Sequence, residues 1–410
     1  MTLPVLVIGG GAAGLIAAWR SAFAGRETLL LEANPRMGVK VRISGGGKCN
    51  VTHSGPVRNL LTAFAPAQSR FLRPALHAFS NQDVTTLLRG EGVETWERAD
   101  GRVFPLDQPG TAQRVVEAIQ GVASKAGARL VPGSRVDGLV VEAGRIVGVQ
   151  AGGTRIDAAK VILATGGASY PRTGTRGEAL AWLRGLGLPV KPWFPALAPI
   201  PLAVPRPAWE GVALRGGELR IRPHASGPVL ARSPGDILFT RAGISGPAAL
   251  DLSERVELAR RAGETVLEYV LHRDSETLQR DFLETGTQQP EASLRRWLCA
   301  WLPDRIAVAM IEAWGLSADA RLRRLTREDR RRAVDAIAAF PLGAAGPVPL
   351  EQGEVCAGGL LLEAVDPRTM AVRGWENLYV CGELLDVNGP VGGYNLQAAF
   401  STGFLAGAEG

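Results

Sequence analysis

Val5–Ile8 is an unbroken apolar run of strand length that stops at Gly9-Gly10-Gly11. Such a run suits a parallel strand covered on both faces. From Ala12 to about Ala24 the apolar positions recur with a helical period, and Thr28–Leu31 is a second apolar run closed by Glu32. The expectation is a strand–turn–helix–strand unit of roughly thirty residues, the opening of a nucleotide-binding sheet. Residues 38–53, rich in Gly, Ser and basic side chains, read as a loop, and residues 110–127 as a helix. Val136–Val141 and Ile146–Gln150 predict a hairpin that turns at Ala143-Gly144. Lys160–Leu163 is another buried strand, running into Ala164-Thr165-Gly166-Gly167.

The texture changes at Pro189. Prolines at 189, 192, 195, 199, 201, 205 and 207 predict an extended crossing into a second domain. Residues 195–272 read as strands with many turns, and residues 276–340 as helices rich in Arg, Leu and Ala. Beyond a Gly/Pro stretch, Leu360–Leu362 and Leu378–Cys381 read as strands, and Asn395 to Ala408 as a closing helix. The architecture expected is an α/β, doubly wound domain formed by residues 1–190 and 345–410. It is interrupted by an insertion with a β-rich part, 191–275, and a helical part, 276–344.

Composition narrows this picture little. The chain has 410 residues, more than one hydrophobic core usually covers. Its formal charge of +6 suits an approach to polyanions without selecting one. Cys49, Cys299, Cys356 and Cys381 are far apart and show no CxxC spacing. That excludes a disulfide scaffold and argues against structural zinc, leaving reduced thiols in a cytoplasm. No run of 18 apolar residues is present, so no membrane span is expected.

Chemistry enters with Gly9-Gly10-Gly11-Ala12-Ala13-Gly14, a G-x-G-x-x-G between a strand and a helix. Gly9 allows the tight turn, Gly11 lets backbone approach a diphosphate, and Gly14 lets helix and strand pack closely. Glu32, at the end of the second strand, can accept hydrogen bonds from ribose hydroxyls. Ala164–Gly167 and Leu378–Glu383 repeat the strand-then-Gly pattern, and Gly392-Gly393-Tyr394-Asn395 opens the last helix. These later turns favour FAD over NAD as the resident dinucleotide, with the helix N-terminus offsetting negative charge on a reduced ring and Asp386 reaching the ribityl chain. Ser44-Gly45-Gly46-Gly47-Lys48-Cys49-Asn50, with Lys40 and Arg42 before it, offers backbone N–H groups and positive charge for a polar cofactor edge.

Taken together these blocks resemble the BaiN/RdsA family of bacterial NAD(P)/FAD-dependent flavoproteins. Those that carry the resemblance are Ile8–Ala17, Ser44–Thr52, Gly101–Pro105, Ala164–Gly174, Gly235–Pro247, Ala357–Gly359, Asp366–Met370 and Gly382–Gln397, in one order along nearly the whole chain. The resemblance implies a Rossmann-like FAD-binding domain of the glutathione-reductase type with an insertion. It implies that Gly9, Gly11, Gly14, Glu32, Lys40, Ser44–Asn50, Thr165, Gly166, Gly382, Glu383, Asp386 and Gly393–Leu396 surround FAD. Val136 would meet the adenine through backbone, and Ala12 and Ala13 lie within the fingerprint. Lys48 stands where Arg is usual, Cys356 where Thr is frequent and Arg241 where His is common, which bears on substrate contacts rather than on the cofactor. The family's activities are reductions, one branch acting on bile-acid double bonds and another forming dihydrouridine in large-subunit ribosomal RNA. NAD(P)H would be a transient electron donor, since only one dinucleotide fingerprint is present.

The protein must then deliver a proton beside the reduced carbon. Candidate acids are Cys49, Cys356 and Tyr394. His53, His77, His224 and His272 stand in no triad or metal spacing, although His53 adjoins the Gly-rich loop. Arg321, Arg323, Arg324, Arg327, Arg330, Arg331 and Arg332 could grip RNA phosphates, and a solvated helix with i,i+4 pairs explains them equally well. Three readings follow. They are a reductase of a ribosomal RNA uridine, a reductase of a small unsaturated molecule such as an enone or steroid-like acid, and a non-catalytic binding module with structural FAD.

Overall fold

The computed structural model describes residues 3–106, 110–271 and 274–409; His272 lies outside them. Every residue of the strand Val5–Ile8 is buried, as its apolar run requires. It pairs in parallel with Thr28–Glu32 on one side and Lys160–Leu163 on the other. Arg129–Pro132 extends the sheet beyond Thr28–Glu32, and Leu378–Val380 beyond Lys160–Leu163, giving five parallel strands. The helix Ala12–Phe23 packs against Thr111–Lys125 and the closing helix Tyr394–Glu409. Its contact with the closing helix is close because Gly403 and Gly407 lack side chains. A Cβ at either would come within 2.3 Å of the carbonyl oxygen of Ala13 or Ala17. This is a Rossmann-type α/β fold, as the apolar runs imply.

The chain divides into two compact units, residues 1–196 with 350–410, and residues 197–349. The first unit adds three small antiparallel arrangements to the parallel sheet. One is Val136–Glu142, Arg145–Ala151 and Thr154–Asp157; the second is Thr52–His53, Arg102–Pro105 and Thr95–Glu97. The third pairs Val190–Ala196 with Val355–Leu360. Pro192 and Pro195 fall in that last pair, whose register shifts between Lys191 and Phe194, the irregularity expected where proline removes a ladder donor.

The second unit holds two four-stranded antiparallel sheets and five α-helices among its described residues, with a core of its own. Here the structure departs from the strand-like reading of 195–272, for Pro247–Ala262 is a 16-residue helix. Pro247 stands at its first turn, where a missing N–H costs nothing. Gly246 and Pro247 at its start and Gly263 at its end hide its period in the sequence.

Residues 38–53 also depart from the loop reading. Val39–Ile43 is a short helix, Ser44–Gly47 a 3₁₀ turn and Thr52–His53 a strand. Val41 is the only residue of the short helix that is buried, and five residues are too few to show a period. The strand expected at 360–362 ends at Leu360, and Leu362 opens a short 3₁₀ turn instead.

Candidate functional site

The carboxyl ends of the parallel strands gather most of the residues singled out by sequence, where open α/β sheets place their ligands. Gly9 has φ +107°, and a Cβ there would lie 2.4 Å from the Ala164 carbonyl oxygen. A Cβ on Gly14 would lie 1.8 Å from the Gly9 oxygen, so both glycines are demanded by packing. Gly11 is different. A Cβ there would meet nothing within 4 Å, so its missing side chain leaves open space in front of the turn. Glu32, 8% exposed, fixes the turn from below. Its Oε2 accepts from the Gly10 N–H at 2.6 Å, and its Oε1 accepts from the Asn34 backbone and side chain at 2.7 Å. Ser134 N–H donates to the Glu32 carbonyl, which brings Val136, 8% exposed, to the same end of the sheet.

Thr165 and Gly166 follow the strand Lys160–Leu163. The Thr165 hydroxyl is buried and has no hydrogen-bond partner among the described residues. Gly382 (φ +70°) sits beside Ala13, and its N–H donates to the Thr402 hydroxyl at 3.0 Å. The open space at Gly11, the unpartnered Thr165 hydroxyl and the bare backbone turns form a cradle that fits a dinucleotide.

A polar cluster lies next to it. Lys40 Nζ donates to both oxygens of Glu383 at 2.8 and 3.0 Å and to the Ser169 hydroxyl at 2.7 Å. Glu383 Oε1 also accepts from the Cys356 N–H at 3.0 Å, and its oxygen is 3.5 Å from the Cys356 sulfur. The Ala168 N–H donates to that sulfur at 3.2 Å. Burial and the Glu383 carboxylate push the Cys356 thiol up to about 12. Asp386 accepts from the Gly358 N–H at 3.0 Å, with Lys191 3.5 Å away. Ser169 and Lys191 escaped sequence reading because serine or lysine in a turn carries no signal of its partners.

The Gly-rich segment joins the closing helix. Gly45, Gly46 and Gly47 all have positive φ, and Gly46 and Gly47 are open to space. With its amide oriented to satisfy its partners, Asn50 donates to the Thr52 and Val103 carbonyls and accepts from the Gly393 N–H at 3.0 Å. Thr52 donates to Gln397 at 2.5 Å. Asn395 closes the turn before the helix by exchanging hydrogen bonds with Gly389 at 2.8 and 2.9 Å. The Ser44 hydroxyl donates to the Val41 carbonyl at 2.8 Å. Lys48 is exposed, and Leu396 is half-buried in the helix.

Cys49 is fully buried at φ +54°, and burial, opposed by a hydrogen bond from Ser44, pushes its thiol up to about 11. Tyr394 is half-buried and stacks on His53 with ring centroids 4.7 Å apart. His53 Nδ1 is 3.1 Å from the Gly392 carbonyl oxygen. His53 is thus built into the site, and its only sequence signal is its place next to the Gly-rich loop.

Residues 3–409 match a family described as the HI0933-like protein Rossmann domain. The chain belongs to that family. Relatives of this HI0933-like chain include the ribosomal RNA dihydrouridine synthase of Escherichia coli K12. It is 28% identical over 409 residues, covering 98% of this chain and 97% of the relative. The 3-dehydro-bile acid delta(4,6)-reductase of Clostridium scindens is 27% identical over 406 residues, again 98% and 97%. Both branches named in the motif resemblance are therefore full-length relatives. Among solved structures, 3-ketosteroid delta1-dehydrogenase from Sterolibacterium denitrificans shares the fold. Its TM-score is 0.54 at 14% identity, with 99% of this chain and 98% of that one covered. None of the described helices is long and apolar enough to cross a membrane. Among the described residues no group of three or more His, Cys, Asp or Glu could hold a metal ion.

The seven arginines belong to the second unit. Arg321 and Arg323 pair with Glu291 at 3.1 and 3.8 Å, and Arg332 with Glu328 at 2.7 Å and Asp329 at 3.8 Å. Arg324, Arg327, Arg330 and Arg331 form no ion pair among the described residues, and the first two and Arg331 are exposed.

Proposed function

We propose that this chain is a cytoplasmic FAD-dependent oxidoreductase that reduces an activated C=C bond with electrons from NAD(P)H, and that the bond belongs to a uridine of large-subunit ribosomal RNA. The observation that carries the cofactor reading is the cradle. Gly11 leaves space for a diphosphate at a helix N-terminus, Glu32 stands at the strand end to meet a ribose, and the buried Thr165 hydroxyl lacks a partner that a ligand would provide. The same reading has Gly9–Gly14, Glu32, Val136, Thr165, Gly166, Gly382, Glu383, Asp386 and the N-terminus of the closing helix holding FAD, with Ser44–Asn50 along its edge. Bound there, FAD supplies hydride chemistry. The chain's own residues have three tasks: positioning the alkene, excluding water, and delivering a proton to the neighbouring carbon.

Of the three candidate acids, Tyr394 suits the last task best. Cys49 and Cys356 are 0% and 1% exposed and cannot meet a substrate without movement of their segments. Tyr394 is reachable, and its ring is held by His53 and by Phe64 at 6.1 Å. Lys40 balances Glu383, so that a carboxylate can sit near a diphosphate without net repulsion.

RNA as substrate rests on the dihydrouridine synthase relatives, with Arg324, Arg327, Arg330 and Arg331 as phosphate contacts. The second reading, a small unsaturated acid or enone, rests on the bile-acid reductase relative at nearly equal identity. Anaerobic mixing separates them. NADH or NADPH should bleach the yellow protein, and an unmodified ribosomal RNA transcript should restore the colour while a free enone does not. Restoration by the enone alone would favour the small-molecule reading. Colour that never bleaches would leave the non-catalytic module.

A further inference from the structure

In the small sheet of the first unit, His53 faces Arg102 across one ladder and Phe104 faces Trp96 across the other. Directly opposed residues put their side chains on the same face, as do residues two apart on one strand. One face therefore carries His53, Arg102, Phe104 and Trp96, while the other carries Thr52, Val103 and Pro105, all buried, with Thr95 half-buried and Glu97 exposed at its edge. The first face is wet and aromatic. Trp96 is 43% exposed and stacks on Phe104 with centroids 5.9 Å apart. At its other end His53 stacks on Tyr394. Arg98 and Arg102 share Asp100 at 3.4 and 3.5 Å, two guanidinium groups to one carboxylate. His53 directly follows the Gly-rich segment and Tyr394 opens the closing helix, so the face is continuous with the candidate site.

We infer that this face is a stacking platform for the unpaired bases of single-stranded RNA, leading one base toward Tyr394. The inference rests on the RNA reading of the substrate and deepens it. Flat rings left in water beside guanidinium groups form the pairing that holds single strands, because every base offers a π face and every nucleotide a phosphate.

The test is fluorescence anisotropy with a labelled oligouridylate and the FAD-saturated protein. Trp96→Ala should weaken binding about tenfold, the loss of one stacked base, and Trp96→Phe by less than about threefold, since a ring remains. Arg98→Gln, at a side chain 54% exposed, should make the salt dependence shallower by about 0.7 in log–log slope for one lost phosphate. Binding by Trp96→Ala equal to the parent, an unchanged slope for Arg98→Gln, or a parent that ignores oligouridylate overturns the platform. If Trp96→Ala melts early, the Arg98→Gln slope decides. Bleaching by NAD(P)H, followed in the same samples, keeps the two ideas apart. Trp96-dependent RNA binding without bleaching sinks the oxidoreductase reading alone, and bleaching without such binding sinks the platform alone.

Discussion

At the scale of single residues, the three glycines of one fingerprint have two different jobs, and only the tertiary structure separates them. Gly14 is required by packing, whereas Gly11 borders empty space. Gly14→Val should therefore cost about 3 kcal/mol or more through overpacking. Gly11→Val should fold, with an apoprotein melting temperature within about 2 °C of the parent, yet purify colourless because its side chain occupies the cradle. A yellow Gly11→Val protein would count against the diphosphate site. The buried thiols give a second residue-scale expectation. Burial pushes Cys49 up from 9.0 to about 11 and Cys381 to about 12, and burial with the Glu383 carboxylate pushes Cys356 to about 12. Groups with raised folded-state values bind more protons folded than unfolded above pH 9. Their contribution to stability is intact below pH 9 and lost as pH rises through 11 to 12. Urea unfolding midpoints should fall over that window, and replacing Cys381 by Ala should flatten the fall.

At the scale of elements, the helix Pro247–Ala262 depends on a buried acid. Burial of Glu257 alone would raise its value, but hydrogen bonds from Arg260, Arg261 and the Val348 N–H outweigh it and hold the carboxyl near 2, below its ordinary 4.5. A depressed value contributes stability above pH 4.5 that is lost as pH falls toward 2. Glu257→Gln should cost about 1 to 2 kcal/mol at neutral pH, since the buried Val348 N–H loses a charged acceptor and Arg260 and Arg261, which reach solvent, lose their counter-charge. It should also remove much of the acid sensitivity between pH 4.5 and 2, read by circular dichroism. A variant as acid-labile as the parent would rule this out. Elements also show where sequence period fails. Val5–Ile8 and Lys160–Leu163 are legible because strands buried on both faces are apolar throughout. The helix Val39–Ile43 is not, because it fully buries one valine only and half-buries the charges of Lys40 and Arg42 beside it.

At the scale of the whole molecule, segments from near the two ends of the sequence must meet for the first unit to exist. The closing helix lies on the first helix through Gly403 and Gly407, and the ends of the chain share one sheet. A ligand that bridges these segments stabilises the folded state by mass action, about 2.7 kcal/mol at a hundredfold excess over its dissociation constant. Stripping the flavin should lower the melting temperature, and added FAD, but not riboflavin, should restore it, as the proposed hold of the cradle on the diphosphate requires. Equal rescue by riboflavin would place the binding energy elsewhere.

The fold class and the dinucleotide turn were written in local sequence. Unbroken apolar runs, a glycine fingerprint and an acid at the next strand end are short-range patterns, set by backbone sterics and burial within about thirty residues. The ion pair of Lys40 with Glu383, the hold of Asn50 on Gly393 and the stack of His53 on Tyr394 each join residues more than 300 positions apart. Nothing in the neighbourhood of either partner encodes such a pair. It exists because the parallel sheet brings distant strand ends to one edge, and that is a property of the tertiary structure alone.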